Sequence, residues 1–280
     1  MTVGTDGSRW GEAALRWAAR HAWERGSELL VVSGEDAPST RRITCDFPLL
    51  TVRIRATAEA PVAALVEASR ESELLVLGCR GNRRRHLGLG SLVLPAVGAA
   101  ECDTVVVRGA DNAVDGRHRR VTAMISGGDE DASVVAHAAD IALDRRCELR
   151  VLHAEPDPLT HHPISPERDS RAVLAAAEAH VGTLARRPVT VIEMVRAYAH
   201  EAVAACTDSD LLVVGRGASG AVTKTALHHA PCPVMVVHTV GVSPSPSTPG
   251  IGLATWSPCL PWPRGDRAPV HLERTTTGGF

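Results

Sequence analysis

Five residues in the first hundred have types and spacing suited to holding a ligand: Asp6, Gly78, Gly81, Gly90 and Ser91. Gly78-x2-Gly81 follows the apolar run Leu74–Leu77, and Gly90-Ser91 comes after eight further residues. Glycine lets backbone approach a phosphate and adopts positive φ, while a serine at a helix start adds a hydroxyl beside the partial positive charge of the first turn. The chemistry of such a set is anion binding, not bond making. The stretch Asn82-Arg83-Arg84-Arg85-His86 between the glycines is cationic and could hold a polyphosphate, although its bulk opposes a tight wrap. A solvated arginine loop is the competing reading. Pro95 removes a donor from the first turns of the helix that follows. Asp6, next to Gly7-Ser8, has the composition of a turn or helix cap.

Other reactive types do not assemble by spacing. His228-His229 are adjacent, so on a helix they diverge by about 100°, and no carboxylate or cysteine completes a metal set; His161-His162 lie in a proline-containing loop. Seven cysteines without a C-x-x-C pattern indicate neither a disulfide framework nor a zinc knuckle. Cys102 and Cys232 stand at strand entries, where small buried residues are expected. No Ser/His/Asp, Cys/His or paired-carboxylate arrangement emerges, so no catalytic residues are assigned. Ser126-Gly127-Gly128 resembles the start of a pyrophosphatase loop, but Glu130 and Asp131 follow where that motif needs a serine.

The elements that must position these residues follow from composition and repeats. The 280 residues fit two domains, and 30 Lys+Arg against 32 Asp+Glu leave no electrostatic footprint for nucleic acid or membrane. Apolar runs are strand-sized, and the N-terminal stretch lacks a basic segment followed by an apolar one, so a cytoplasmic setting is expected. The segment Leu15–Val32 lies over Val135–Leu152 with an offset of 120. SELLVLG from Ser72 matches SDLLVVG from Ser209 at an offset of 137, and CDTVVV from Cys102 matches CPVMVV from Cys232 at 130. Two copies, 1–110 and 119–240, thus share one plan of alternating strands and helices. Uninterrupted runs such as LLVLG suit parallel strands covered on both faces, and the alternation implies right-handed crossovers. The fold expected is α/β: two tandem open parallel-sheet domains, Rossmann-like, meeting through their apolar last strands as a pseudo-dimer. Between the second and third strands the first copy holds too few residues for a full crossover helix, whereas Pro166–Arg186 in the second copy has room. The first strand begins almost at Met1 although it should be central, so the start is expected to lie downstream of the ancestral one. Gly109–Arg120 reads as a polar connector. Seven of the 18 prolines fall in 241–280, a segment expected to be a disordered tail.

TVGTDGS, LLVLGCRG and Gly90-Ser91 in the first copy, with LLVVGRG and HHAPCPVMVV in the second, resemble the universal stress protein family. The resemblance implies an adenine-nucleotide alpha-hydrolase-like sheet of five parallel strands, and dimers or tandem pseudo-dimers, with room for a homodimer of the whole chain. It also implies a division into ATP binders and members without a nucleotide site. The ATP-binding signature is Gly-x2-Gly-x9-Gly-Ser/Thr, and this chain is one residue short. On that resemblance Asp6 lies by the nucleoside and Gly78, Gly81, Gly90 and Ser91 around the phosphates, with Mg2+ entering only with ATP. The second copy has Ser126 opposite Asp6 and a shorter loop, so it is expected to be degenerate. The function expected is a non-catalytic stress-response protein acting through nucleotide occupancy or contacts with a protein partner. An adenylating enzyme of the pyrophosphatase-loop type and a ligand-free interaction module are the alternatives.

Overall fold

The computed structural model describes residues 1–34, 41–80, 89–156, 169–217, 220–238 and 271–274. The chain opens with β1 (Thr2–Thr5) and α1 (Arg9–Arg25). Ser8 caps α1 by accepting from the Gly11 amide at 3.1 Å, and Gly26 ends it in the left-handed region at φ 63°, its N–H turned back on the last carbonyls. Between those caps Ala14, Leu15, Ala18 and Ala22 recur at helical spacing and are buried. Next come β2 (Leu29–Ser33), a six-residue α2 (Arg41–Asp46), β3 (Val52–Ala56), α3 (Pro61–Arg70), β4 (Leu74–Gly78), α4 (Val93–Ala99) and β5 (Asp103–Val107).

A four-residue helix, α5 (Asp111–Val114), occupies the stretch expected to be a polar connector. It buries Ala113 and Val114, so the connector is anchored in the core. The second copy follows as β6 (Arg120–Ile125), α6 (Asp131–Asp144), β7 (Glu148–Glu155), α7 (Ser170–Thr183), β8 (Thr190–Arg196), α8 (Ala199–Ala205), β9 (Leu211–Gly215), α9 (Ala221–His229) and β10 (Val234–Val237). Here the second crossover is a full 14-residue helix, capped by Asp169. The tail departs from expectation at one place: β11 (His271–Arg274) pairs parallel with β3 at the sheet edge, because β3 offers an open row of backbone groups there. The rest of 241–280 lies outside the described residues.

All strands form one sheet in the order β11-β3-β2-β1-β4-β5-β10-β9-β6-β7-β8. Every neighbouring pair is parallel except β5 with β10, which run antiparallel in the register Val106↔Val234, Val105↔Met235 and Thr104↔Val236. The two copies therefore meet through their last strands, as their apolar edges required. On the face covered by α1 and α6 a single apolar core runs through both copies, from Val3, Trp17 and Val76 to Val135, Val213 and Val237. On the other face the core divides into two clusters.

The repeat is visible in individual bonds. The part-buried hydroxyl pair Thr2–Ser72, 2.7 Å, has its counterpart in the buried pair Thr122–Ser209, also 2.7 Å, displaced by the same offsets of 120 and 137. Across the junction, Arg25–Asp144 at 2.7 Å is answered by Arg145–Glu24 at 3.3 Å, again with partners 120 apart. The Arg–carboxylate contact is thus made twice with the roles of the copies exchanged, the rule for a two-fold interface. Two further arginines that are not repeat equivalents also bridge the copies: Arg108, after β5, donates to the Leu227 and His228 carbonyls at the end of α9, and Arg216, after β9, donates to those of Val97 and Ala100 at the end of α4.

Candidate functional site

In the order β3-β2-β1-β4-β5 the direction of chain progression reverses between β1 and β4. Ligands of open α/β sheets bind outside the carboxyl ends of the strands at such a point. Asp6 directly follows β1, and Gly78 ends β4, so the sequence-derived residues flank this crevice. Asp6 is exposed, and its Oδ1 accepts from the Ser8 amide at 3.0 Å. The Ser8 hydroxyl reaches the Arg80 carbonyl at 3.5 Å and ties the β1 exit to the β4 exit. Gly90 donates its amide to the Cys79 carbonyl at 2.8 Å, which closes the base of the intervening loop and leaves Ser91 exposed beside it. Gly78 is glycine for a packing reason: a Cβ there would stand 2.6 Å from the Trp10 carbonyl oxygen. Gly81, Arg83, Arg84, Arg85 and His86 lie outside the described residues. Asp6, Gly90 and Ser91 thus sit on one rim around β1 and β4, while Gly78 lies beneath it and lets α1 start close to the strand.

The equivalent rim of the second copy is filled by its own acids. The buried Asp131 carboxylate accepts from Ser126 at 3.1 Å and from Gly127 at 2.7 Å, so the amides of the β6 exit are already bonded. Glu130 reaches across Gly215 and accepts from the Gly217 amide at 2.9 Å. A cavity of about 350 Å³ opens between this turn and α7, with Ile125, Gly127, Asp131, Asp169, Val173 and His180 among its walls. Its carboxylates oppose a phosphate. Among the described residues no cluster could hold a metal ion; His228 and His229 end α9 with rings 6.3 Å apart. Burial pushes the Cys102 thiol up to about 11, and Cys232 is raised further by deeper burial, so both are inert apolar fillers.

Residues 117–238 match the model of the universal stress protein family. A universal stress protein of Mycobacterium tuberculosis is 29% identical to this chain, with 84% of this chain and 96% of the relative aligned. One from Mycolicibacterium smegmatis is 28% identical over 85% and 96%. Residues 117–238 thus match a universal stress protein domain, and the likeness to universal stress proteins extends over most of the chain. Solved structures agree on the fold. A universal stress protein from Archaeoglobus fulgidus superposes with a TM-score of 0.61 at 15% identity, covering 84% of this chain and 97% of the other. A Pseudomonas aeruginosa protein described as a putative universal stress protein gives 0.58 at 17% identity, covering 84% and 92%.

The fold also assembles a group that spacing did not reveal. His137 Nε2 lies 3.1 Å from Asp103 Oδ2, across the junction between copies, and its Nδ1 lies 2.7 Å from the Ser133 carbonyl and 3.3 Å from the Ser133 hydroxyl. The i, i+4 pairing of Ser133 with His137 was legible, but Asp103 comes from the other copy. The grouping is not a nucleophile and base. Both ring nitrogens face acceptors, so the doubly protonated ring satisfies the site and has no lone pair for the hydroxyl. The hydrogen bond to Asp103, then its charge, the Ser133 carbonyl and the Asp140 charge raise the His137 pKa against the opposing effect of burial.

This pair predicts a pH dependence. His137 binds its proton more tightly folded than unfolded, so its contribution is fully present below its ordinary value of 6.5 and is lost as pH rises through the folded value. His21 acts oppositely: burial, then Arg145, Arg25 and Arg20, hold it well below its ordinary value, so it costs stability in acid. His238, lowered by burial and Arg216, adds to that cost. The difference between wild type and His137→Gln isolates the clasp. Urea midpoints should differ at pH 6 and converge above the folded pKa, with a modest amplitude because the His137 side chain is 40% exposed. Parallel pH profiles for the two proteins would remove this role.

Proposed function

We propose that this chain is a tandem universal stress protein, a non-catalytic stress-response protein that binds ATP once per chain, in the first copy, and acts through nucleotide occupancy or contacts with a protein partner. The observation that carries the reading is the contrast between the two rims. In the first copy the side chains of Asp6 and Ser91 are exposed around the reversal between β1 and β4, whereas in the second Asp131 is buried against the Ser126 and Gly127 amides and Glu130 lies across Gly215. Asp6 takes the nucleoside side, and Gly81, Gly90 and Ser91 take the phosphates, with Mg2+ accompanying the nucleotide as counter-charge. Gly78 supports the site by admitting α1 against β4. The arginines between Gly81 and Gly90 replace backbone wrapping with side-chain charge, so binding is weak and unusually salt-sensitive.

The adenylating-enzyme reading loses its support, because the Ser126-Gly127 amides that would cradle pyrophosphate are taken by Asp131. The ligand-free module keeps one observation in its favour: packing alone explains Gly78, and the Gly90 amide is bonded internally. Titration calorimetry with MgATP decides between them. One equivalent per chain is expected, weakened several-fold by Asp6→Ala and at least about tenfold by Gly90→Val, whose branched side chain crowds the phosphate rim. Two equivalents, or a Gly90→Val protein that binds like wild type, would overturn the assignment. The absence of binding would place the protein among ligand-free modules.

A further inference from the structure

Glu130 occupies in the second copy the position that Trp10 occupies in the first, at the offset of 120, and the glycines beneath them, Gly215 and Gly78, correspond at 137. In the first copy Gly78 is covered by backbone, the Trp10 carbonyl and the Gly11 amide. In the second the side chain of Glu130 lies there instead, and a Cβ on Gly215 would fall on its carboxyl group, 2.5 Å from Oε1. That carboxylate spans the strand end to reach the Gly217 amide at 2.9 Å. Gly217 and Gly220 have positive φ, 62° and 60°, and the Gly220 amide is bonded to the Gly217 carbonyl at 3.2 Å. The turn therefore presents its amide to the start of α6, on the phosphate side of the rim, and an anion belonging to the chain already holds it.

We propose that Glu130 is a built-in anion that closes the second copy to phosphate-bearing ligands and so limits the chain to one site. This rests on the reading of the first copy as the nucleotide site. Two physical effects act together: the carboxylate consumes a donor that a phosphate would need, and it sets a like charge in contact with any phosphate that approached it. Asp131 differs in place, since it holds amides at the β6 exit, toward the nucleoside side. Removing Glu130 alone therefore opens the phosphate side and leaves the other side closed. Inorganic pyrophosphate, which needs only the phosphate side, is the suitable probe.

The test is pyrophosphate binding to the full chain by calorimetry, with the Gly217 amide followed by 1H–15N correlation spectroscopy, for wild type, Glu130→Gln and Glu130→Ala. Glu130→Gln keeps an acceptor for Gly217 but removes the charge; Glu130→Ala removes both. The expected result is an additional equivalent that shifts the Gly217 resonance, at least about tenfold tighter in Glu130→Ala than any such binding in wild type, with Glu130→Gln between the two. If Glu130→Ala fails to melt cooperatively, Glu130→Gln alone carries the test. Variants with wild-type melting, no added equivalent and an unmoved Gly217 resonance would overturn the proposal. Repeating the series in Gly90→Val separates the two readings. A mistaken first-copy site leaves the Gly217-linked equivalent intact, whereas a mistaken role for Glu130 leaves only the Gly90-sensitive one.

Discussion

Trp17→Ala should destabilise the whole chain by about 3–5 kcal/mol, the range for removing a large buried aromatic side chain. Trp17 is 1% exposed in the continuous core, and it is the residue on which the two copies share a side-chain stack. His21 of the same helix lies parallel to its ring at 5.0 Å, and the Arg145 guanidinium of the second copy sits 4.9 Å from the ring centroid on α6's C-terminal side. Arg145 has a side chain only 7% exposed, and its Nη1 and Nη2 have no hydrogen-bond partner, so the π face of Trp17 and the bond to Glu24 are what compensate its charge. Truncation leaves a void and an under-compensated buried cation together. Water entering that void would hydrate Arg145 and His21, which recovers part of the loss and lets the His21 pKa return toward its ordinary value. Urea unfolding should therefore show a lower midpoint for Trp17→Ala, with a weaker acid dependence than wild type. Trp17→Phe, which keeps an aromatic face, should lose less than half as much. A loss below about 1 kcal/mol for Trp17→Ala would mean that the stack does not hold the copies together.

Much of this architecture was legible in the chain because the repeat supplied two readings of each element. The offset of 120 aligned Ala18 with Ala138 and Ala22 with Ala142, and both pairs are buried at the shared core. The apolar runs TVVV and VMVV predicted a junction through the last strands, because an uncovered edge of that kind must pair, and the structure shows that pairing to be antiparallel. What spacing could not show was contact between residues far apart in sequence. Arg145 stacking on Trp17, and Asp103 meeting His137, join different copies and leave no local pattern. The tail strand β11 escaped notice because a four-residue run among prolines and threonines has no periodicity of its own; the open edge of β3 supplies the reason for it.

The site was legible by a different margin. Residue types and order singled out Asp6, Gly90 and Ser91 as candidates, and the strand order sets the exits of β1 and β4 beside one reversal point. For Gly78 the residue type was the signal but its cause differs, since the constraint comes from the backbone of α1. The second copy was expected to be degenerate from what it lacks, with Ser126 in place of an acid and a shorter loop. The structure adds what it contains. Glu130 and Asp131, which spoiled a sequence motif, are the residues whose carboxylates accept from the amides of the β6 and β9 exits. Aligning Glu130 with Trp10 was available from the offset, but the consequence needed the geometry of Gly215.

Gly109 carries the second large effect, because it combines a backbone conformation and a close approach at the junction itself. It stands just beyond Arg108 at the exit of β5, at φ 89°, where L side chains are strained by about 1–3 kcal/mol. A Cβ would also run into the Pro231 carbonyl of the second copy and stand 2.8 Å from the Cys232 Cα. Neither neighbour can yield cheaply: the Pro231 carbonyl accepts from the Ala110 amide at 3.2 Å, and Cys232 is fully buried just before β10. Gly26 provides the control, since its φ of 63° imposes a similar strain while nothing stands within 4 Å of its Cβ position. Gly26→Ala should therefore cost about 1 kcal/mol. Gly109→Ala should cost at least about 3 kcal/mol, and Gly109→Val more, since relief requires β10 to move away from β5. Native-state hydrogen exchange locates the damage. Amides of Val105 and Met235, paired across the junction, should lose protection before those of β1 or β6, which lie inside each copy. Equal losses for Gly26→Ala and Gly109→Ala would show that the strain at φ 89° acts alone and that the contact with Pro231 does not hold the copies in register.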